Sequence, residues 1–216
     1  NIDLMFGFAH STRDSVLLSC KTALSYDPDH ISCYELTIEP HTAFDKKNIC
    51  PRSDLDCFQF YDDIITFLES HHLFQYEVSS FAKKNSQCIH NKQYWAFDDY
   101  IGIGCGAHSF VFPYRYSNKT ILKHYLHDPK PQCFQKNFSP LSTKNMIQEN
   151  IIANLRIPEG ICFKQYKERY NIDFFSIYKK PIRQLLSNNL IQNTPQGIST
   201  TKKGLYLLDD VCLSFL

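Results

Sequence analysis

A short aromatic box near the middle of the chain has the residue types needed to bind a flat macrocycle. The segment His90-Asn91-Lys92-Gln93-Tyr94-Trp95 holds the only tryptophan and places an imidazole beside two large aromatic residues. An imidazole can ligate a macrocycle's metal ion axially, and aromatic rings can stack on its face. The alternative is a packed loop in which the imidazole is simply hydrogen-bonded.

Asp3 is a second candidate, because it interrupts an otherwise apolar strand pattern over residues 1–8. A buried carboxylate is costly unless it is paired or binds a polar ligand. In a parallel α/β fold, sites form where strands end, so residues 7–11 and 35–40 would line one mouth. Polar side chains occur in both segments, namely His10, Ser11, Glu35, Thr37 and Glu39. The alternative is that Asp3 pairs with an arginine and the others cap helices.

Three alternating glycines, Gly102, Gly104 and Gly106, precede His108. Such spacing permits close backbone approach to a ligand or to another strand. It is not the dinucleotide-binding fingerprint, whose third glycine comes three residues after the second. His108 could supply a second axial ligand or a proton donor. A kinked, closely packed strand is the alternative interpretation.

Cysteine spacing and charge exclude several classes of protein. The nine cysteines, at 20, 33, 50, 57, 88, 105, 133, 162 and 212, include no pair two or three residues apart. Local cluster and zinc spacings are therefore absent from the sequence, and the thiols are expected to be reduced core residues. A net charge of +1 gives no reason to expect a nucleic acid partner. No apolar run approaches the roughly 18 residues of a membrane span, so we expect a cytoplasmic protein.

Hydrophobic spacing in the first part predicts an α/β arrangement. Residues 1–8 are typical of a buried strand, apolar positions from Val16 to Leu24 follow at helical spacing, and residues 31–38 predict a second strand. This strand, helix and strand form a βαβ unit. A further amphipathic helix is predicted over residues 54–70 and an extended stretch over 74–81, and residues 83–106 are interpreted as loop.

Proline punctuation near residues 129–140 predicts a domain boundary, dividing the chain into residues 1–135 and 136–216. The tail predicts helices at about 144–156, 163–170 and 174–188, a hairpin over 190–200 that turns at Thr194-Pro195-Gln196-Gly197, and a last helix from about Thr201. Three helices and a hairpin indicate a winged-helix-like module. The tail is mildly basic, which is the sole support for a winged-helix nucleic-acid binder as a third hypothesis.

Five segments, in order, resemble the radical S-adenosylmethionine (SAM) family of heme chaperones and oxygen-independent coproporphyrinogen III oxidases. The resemblance covers nearly the whole chain. Its strongest points are residues 1–7, 29–40, 75–82, the box at 90–95 and the segment 102–109. Five long matches in the correct order are much more specific than any one of them. The box resembles the heme-binding motif of the chaperone branch.

The resemblance implies the C-terminal part of a (β/α)6 radical SAM barrel, ending in the strands over residues 2–8 and 31–38, followed by an α-rich, winged-helix-like domain. Asp3 matches a SAM contact. His90 matches the heme-iron ligand, and Asn91, Tyr94 and Trp95 shape its pocket. Full-length members bind a [4Fe–4S] cluster through three cysteines near the N-terminus, and this sequence contains no such triplet. At residues 8–12 it also lacks the family's usual proline and glycine turn.

The function implied is heme binding and delivery of heme to an acceptor protein. The alternative is oxidative decarboxylation of coproporphyrinogen III in porphyrin biosynthesis. Because the cluster segment is absent, we expect that this chain by itself does not catalyse the reaction. We also expect that the N-terminal half is missing, because the sequence is truncated or the gene is split. Unpaired strand edges of a severed barrel would then favour self-association.

Overall fold

A parallel strand pair joined by a helix begins the structure, as the sequence predicts. In the computed structural model, which describes residues 1–130 and 140–216, β1 (Ile2–Phe6), α1 (Arg13–Leu24) and β2 (His30–Glu35) follow one another. The strands pair in parallel from Ile2 opposite Ile31 to Phe6 opposite Glu35. A capping box between Thr12 and Ser15 starts α1, which satisfies backbone N–H groups at the helix start. The βαβ unit is therefore present.

The remaining elements of this part complete a mixed sheet. They are α2 (Ala43–Lys46), α3 (Asp54–Ser70), β3 (Phe74–Gln75) and β4 (Ser80–Ala82). Of the apolar residues whose three-to-four spacing predicts the buried face of α3, those from Tyr61 to Leu68 are buried, whereas Leu55 and Phe58 in its first turns are exposed. The strand order is β1-β2-β4-β3, and β4 runs antiparallel to both neighbours.

The stretch 74–81 differs from the prediction, because it turns back on itself instead of forming one extended strand. The Tyr76 N–H donates to the Ser80 carbonyl at 3.1 Å, and the Ser79 N–H donates to the Glu77 carboxylate at 2.9 Å. These bonds close a tight turn. Alternating apolar residues alone could not reveal it.

Residues 89–130 contain a helix, at residues 89–95, where the sequence predicts a loop. The elements are α4 (Ile89–Trp95), β5 (His108–Val111), β6 (Tyr114–Ser117) and α5 (Leu122–His127). β5 and β6 form an antiparallel hairpin. The segment was interpreted as loop because its apolar residues are few, and α4 is only seven residues long. The loop prediction is wrong for residues 89–95.

The tail follows the predicted pattern closely. Its elements are α6 (Thr143–Asn154), β7 (Ile161–Cys162), α7 (Phe163–Tyr170), α8 (Phe174–Ile177), α9 (Lys179–Ser187), β8 (Ile191–Thr194), β9 (Gly197–Thr200), α10 (Lys202–Tyr206) and α11 (Leu208–Leu213). A three-stranded sheet has the order β7-β9-β8. Tyr166 and Phe174 are fully buried with ring centroids 4.7 Å apart. Such aromatic burial is a major source of stability.

The chain separates into two compact units, Asn1–Cys88 and Ile89–Leu216. Residues 89–130 thus belong to the same unit as the tail, whereas the sequence grouped them with the strands of residues 1–88. The predicted boundary between 135 and 136 lies outside the described residues, and it stays a prediction. Within the described parts, no helix combines the length and the apolar composition that crossing a membrane requires.

Candidate functional site

The box residues His90 and Tyr94 lie one helical turn apart on α4. Their rings meet edge to face, with centroids 4.8 Å apart and planes at 87°. Tyr94 in turn contacts Tyr100, at 4.4 Å between centroids. The His90 side chain is exposed, and its ring contacts that of Tyr94. An exposed, oriented imidazole fits the role of an iron ligand.

Trp95 faces a different part of the unit. The Arg156 guanidinium lies over its indole ring, 4.3 Å from the centroid, and the Asn154 side chain donates to its backbone carbonyl at 2.8 Å. Its indole nitrogen is buried without a hydrogen-bond partner among the described residues. The structure therefore brings His90 and Tyr94 together but directs Trp95 towards α6. Asn91 is half-buried.

Behind Tyr94 lies a small cleft of about 240 Å³, lined by Tyr100, Phe110, Arg115 and Glu149 among others. Arg115 pairs with Glu149 at 2.6 Å and donates to the Tyr100 hydroxyl at 3.4 Å. Burial raises the pKa of Tyr100, and the positive charge of Arg115 opposes that rise. The Tyr100 ring is thus positioned as a support for Tyr94.

The glycine segment is closely packed at Gly102, whereas Gly104 and Gly106 have positive φ angles and room around them. A Cβ on Gly102 would lie 2.2 Å from the His108 carbonyl oxygen, so only glycine fits there. The Asn118 side chain donates to the carbonyls of Gly102 and Gly104 at 3.0 and 2.8 Å. Of the two interpretations given by the sequence, this geometry supports the packed strand. His108 is exposed, and its role as a second ligand or proton donor stays a prediction.

Asp3 occupies an exposed position, which corrects the expectation that it is buried. The Asn1 side chain donates to its carboxylate at 2.8 Å. Because β1 alternates half-buried and exposed residues up to Phe6, Asp3 falls on its outer face. The cost of burying a charge therefore gives no argument for a ligand at Asp3, and its SAM contact stays a prediction.

The ends of β1 and β2 meet, as the parallel pairing requires. The Leu36 N–H donates to the Phe6 carbonyl at 2.9 Å, and a Cβ on Gly7 would lie 3.2 Å from the Cys57 sulfur. Burial raises the pKa of Cys57 to about 12, helped by the charge and hydrogen bond of Glu35. Neutral Cys57 is thus a packing residue at this mouth.

Sequence reasoning missed the largest cavity described, which has a volume of about 870 Å³ in the unit Ile89–Leu216. It lies against the side of α4 that carries Ile89, Lys92, Gln93 and Ala96, and His90 is not among its lining residues. The opposite wall includes Arg169, and Asn150 contributes to the lining. Lys92 and Gln93 lie in the aromatic box, but no motif connects them with Asn150 or Arg169, which are far apart from them in sequence.

No three His, Cys, Asp or Glu side chains in residues 1–130 and 140–216 converge in a way that could hold a metal ion. Heme needs fewer ligands from the protein than such an ion, because it brings its own four equatorial nitrogen ligands and needs only an axial one, which an exposed imidazole such as that of His90 can supply.

Comparison with known proteins finds similarity over the whole chain. The family model of the HemN C-terminal domain matches residues 141–207. The curated heme chaperone HemW of Bacillus subtilis is 30% identical over 100% of this chain and 58% of its own length. That of Buchnera aphidicola from Schizaphis graminum is 32% identical over 100% of this chain and 57% of its own length.

Among solved structures, the radical SAM enzyme coproporphyrinogen III oxidase (HemN) of Escherichia coli matches with a TM-score of 0.75 at 18% identity, over 100% of this chain and 54% of that chain. The fold is therefore that of this enzyme's corresponding part. The resemblance that the sequence indicates is therefore confirmed: the chain is similar over its whole length to heme chaperones, and residues 141–207 match the HemN C-terminal domain. It spans about 57–58% of the length of the two curated relatives described.

Proposed function

We propose that this protein binds heme through His90 and passes it to an acceptor protein, as a heme chaperone. The observation that carries the proposal is the exposed His90 imidazole, set at 87° to the Tyr94 ring. Neutral imidazole is a common iron ligand in heme proteins. The Tyr94 contact limits rotation of the imidazole, which reduces the entropy lost when a ligand binds.

The other box residues would support this ligand rather than all contact the heme. Tyr94 rests on Tyr100, so it can hold His90 in one orientation. Trp95 ties α4 to α6 through Asn154 and Arg156. An exposed ligand also suits transfer, because an acceptor protein can reach the iron from the open side. In this proposal Asn91 completes the pocket beside His90.

The finer architecture belongs to the same proposal. Residues 1–135 would be the C-terminal part of a (β/α)6 radical SAM barrel, and residues 136–216 a winged-helix-like domain. The parallel β1–β2 pair with its α1 crossover supports the first assignment. The β8–β9 hairpin beside α7, α9 and α10 supports the second. Asp3 would contact SAM, and SAM and the [4Fe–4S] cluster would belong to the full-length protein, in the cytoplasm.

Oxidative decarboxylation of coproporphyrinogen III remains the alternative function, and it has less support. The solved relative carries the oxidase name but is 18% identical, whereas the two curated relatives above are named heme chaperones.

A heme titration followed in the Soret region tests the proposal. We expect saturable binding of one heme per chain, which His90→Ala weakens by roughly tenfold or more, since an axial bond is lost. His127→Ala is the matched control, because His127 is also exposed and ends another short helix. Equal heme affinity of the two variants and the wild type would contradict the proposal.

A further inference from the structure

The cavity of about 870 Å³ beside α4 does not include His90 among its lining residues. Its volume lies within the range of small-molecule sites, about 300–1,000 Å³. Ile89 and Lys92 of α4 line the cavity together with the next residue after the helix, Ala96. Residues between Cys162 and Arg169, in β7 and α7, also line it. The question is which ligand chemistry this lining would accept.

Arg169 gives the clearest indication. Its guanidinium lies over two aromatic rings, 5.4 Å from the centroid of Phe97 and 5.0 Å from that of Phe112. Within the described part of the chain, no carboxylate pairs with it and no hydrogen bond engages its N–H groups. Stacked guanidinium groups are fixed in position while their edges stay able to donate. Such a fork matches the two oxygens of a carboxylate.

Asn150 is a second, independent indication. It is 5% exposed, and its amide nitrogen donates to the Tyr170 hydroxyl at 3.0 Å. Its amide oxygen is buried with no hydrogen-bond partner among the described residues. A phenol both donates and accepts, so the amide can turn over, keep Tyr170 and present its N–H₂ group to the cavity instead. Either orientation leaves one buried polar group for a ligand to satisfy.

The remaining charges limit the ligand. Asp98, Glu159 and Glu168 also line the cavity, against the cations Lys92 and Arg169. A polyphosphate would meet three carboxylates and be disfavoured. A ligand with one carboxylate directed at Arg169 and a large neutral body avoids that repulsion.

We infer that this cavity binds a carboxylate side chain of a porphyrin, with Arg169 as the anchor and Asn150 as a second hydrogen-bonding group. The inference rests on the proposed function, since heme handling is what makes a porphyrin the relevant carboxylate ligand. The cavity would bind the propionates of the porphyrin whether or not the ring contains iron. His90 and Arg169 would therefore contribute separately.

Metal-free protoporphyrin IX is the probe that separates the two sites, because it has the propionates but no iron to ligate. Its binding can be followed by quenching of Trp95, the only tryptophan. We expect Arg169→Gln to weaken binding roughly tenfold or more, as loss of a charge-assisted hydrogen-bonded pair does. Arg169→Lys keeps the charge without the fork and should be intermediate. Arg183→Gln, on exposed Arg183 of α9, is the matched control.

The dimethyl ester of protoporphyrin IX provides the decisive comparison. We expect it to bind the wild type weakly, with no further loss in Arg169→Gln, since the ester has no carboxylate for the guanidinium to bind. The inference is overturned if the diester binds as tightly as the diacid, or if Arg169→Gln binds the diacid as tightly as the wild type. Failure of the iron-ligand proposal would appear separately, as heme binding that is insensitive to His90→Ala.

Discussion

Single residues decide whether a predicted chemical role survives in the fold. His90 is exposed beside Tyr94, which fits the role that its residue type indicates, whereas Asp3 is exposed on the outer face of β1 and not buried. The sequence could identify Asp3 as a charge in an apolar strand but not which face it occupies. Strand period gives alternation without saying which side meets the core.

Cys57 offers a test at this scale, because its pKa is raised to about 12 by burial and by Glu35. Alkylation requires the thiolate, which forms only as the pH rises towards the pKa. At pH 9 we expect iodoacetamide to modify Cys57 in the folded protein roughly a hundredfold more slowly than the exposed Cys50. Peptide mass spectrometry gives both rates, and the unfolded chain is the control. Equal rates in the folded protein would contradict the assignment.

At the scale of elements, periodicity located the longer helices and the β8–β9 hairpin but missed α4. Residues 54–70 and 163–170 were predicted with the observed bounds. On α3 the signal is clear, because its buried residues recur every three to four positions. α4 is short and buries no residue completely. Its helical form depends on tertiary contacts with α6, and these contacts cannot be predicted from the local sequence.

Asn154 of α6 connects α4 and α7 by hydrogen bonds. It donates to the Trp95 carbonyl at 2.8 Å and accepts from the Tyr166 hydroxyl at 3.3 Å. We expect Asn154→Ala to lower the free energy of unfolding by about 1–3 kcal/mol, because buried partners lose their hydrogen bonds. Heme affinity should fall as well, since α4 is less firmly held. Asn145→Ala is the control, as Asn145 is exposed on the same helix. Denaturant unfolding with equal losses for both variants would contradict this role for Asn154.

For the whole molecule, the sequence identified the resemblance to heme chaperones and the α/β class but not the division into units at Cys88. The aromatic box and the glycine segment were grouped with the strands because they follow them in sequence. Contacts such as Asn154 to Trp95 join distant residues and assign the box to the unit of the tail. The cavity lined by Arg169 was hidden from sequence for the same reason.

Exposed apolar surface along β1 and α1 predicts self-association. β1 pairs only with β2 among the described residues, and Leu18 and Tyr26, 63% and 76% exposed, border a groove with Ile2 and Leu4. Open strand edges beside apolar surface favour association between chains. We expect light scattering to show concentration-dependent oligomers that Leu18→Lys reduces and Leu126→Lys, on a leucine 71% exposed, does not. A monodisperse monomer would count against this.

The central claim, that His90 is the ligand to heme iron, is tested most directly by chemical rescue of His90→Ala. Absorption and resonance Raman spectra of the heme complex would report the axial ligand. The account predicts that the variant loses the histidine-ligated spectrum and that added imidazole restores it, because free imidazole can occupy the place of the missing side chain. A wild-type spectrum in His90→Ala without imidazole would show that another residue ligates the iron.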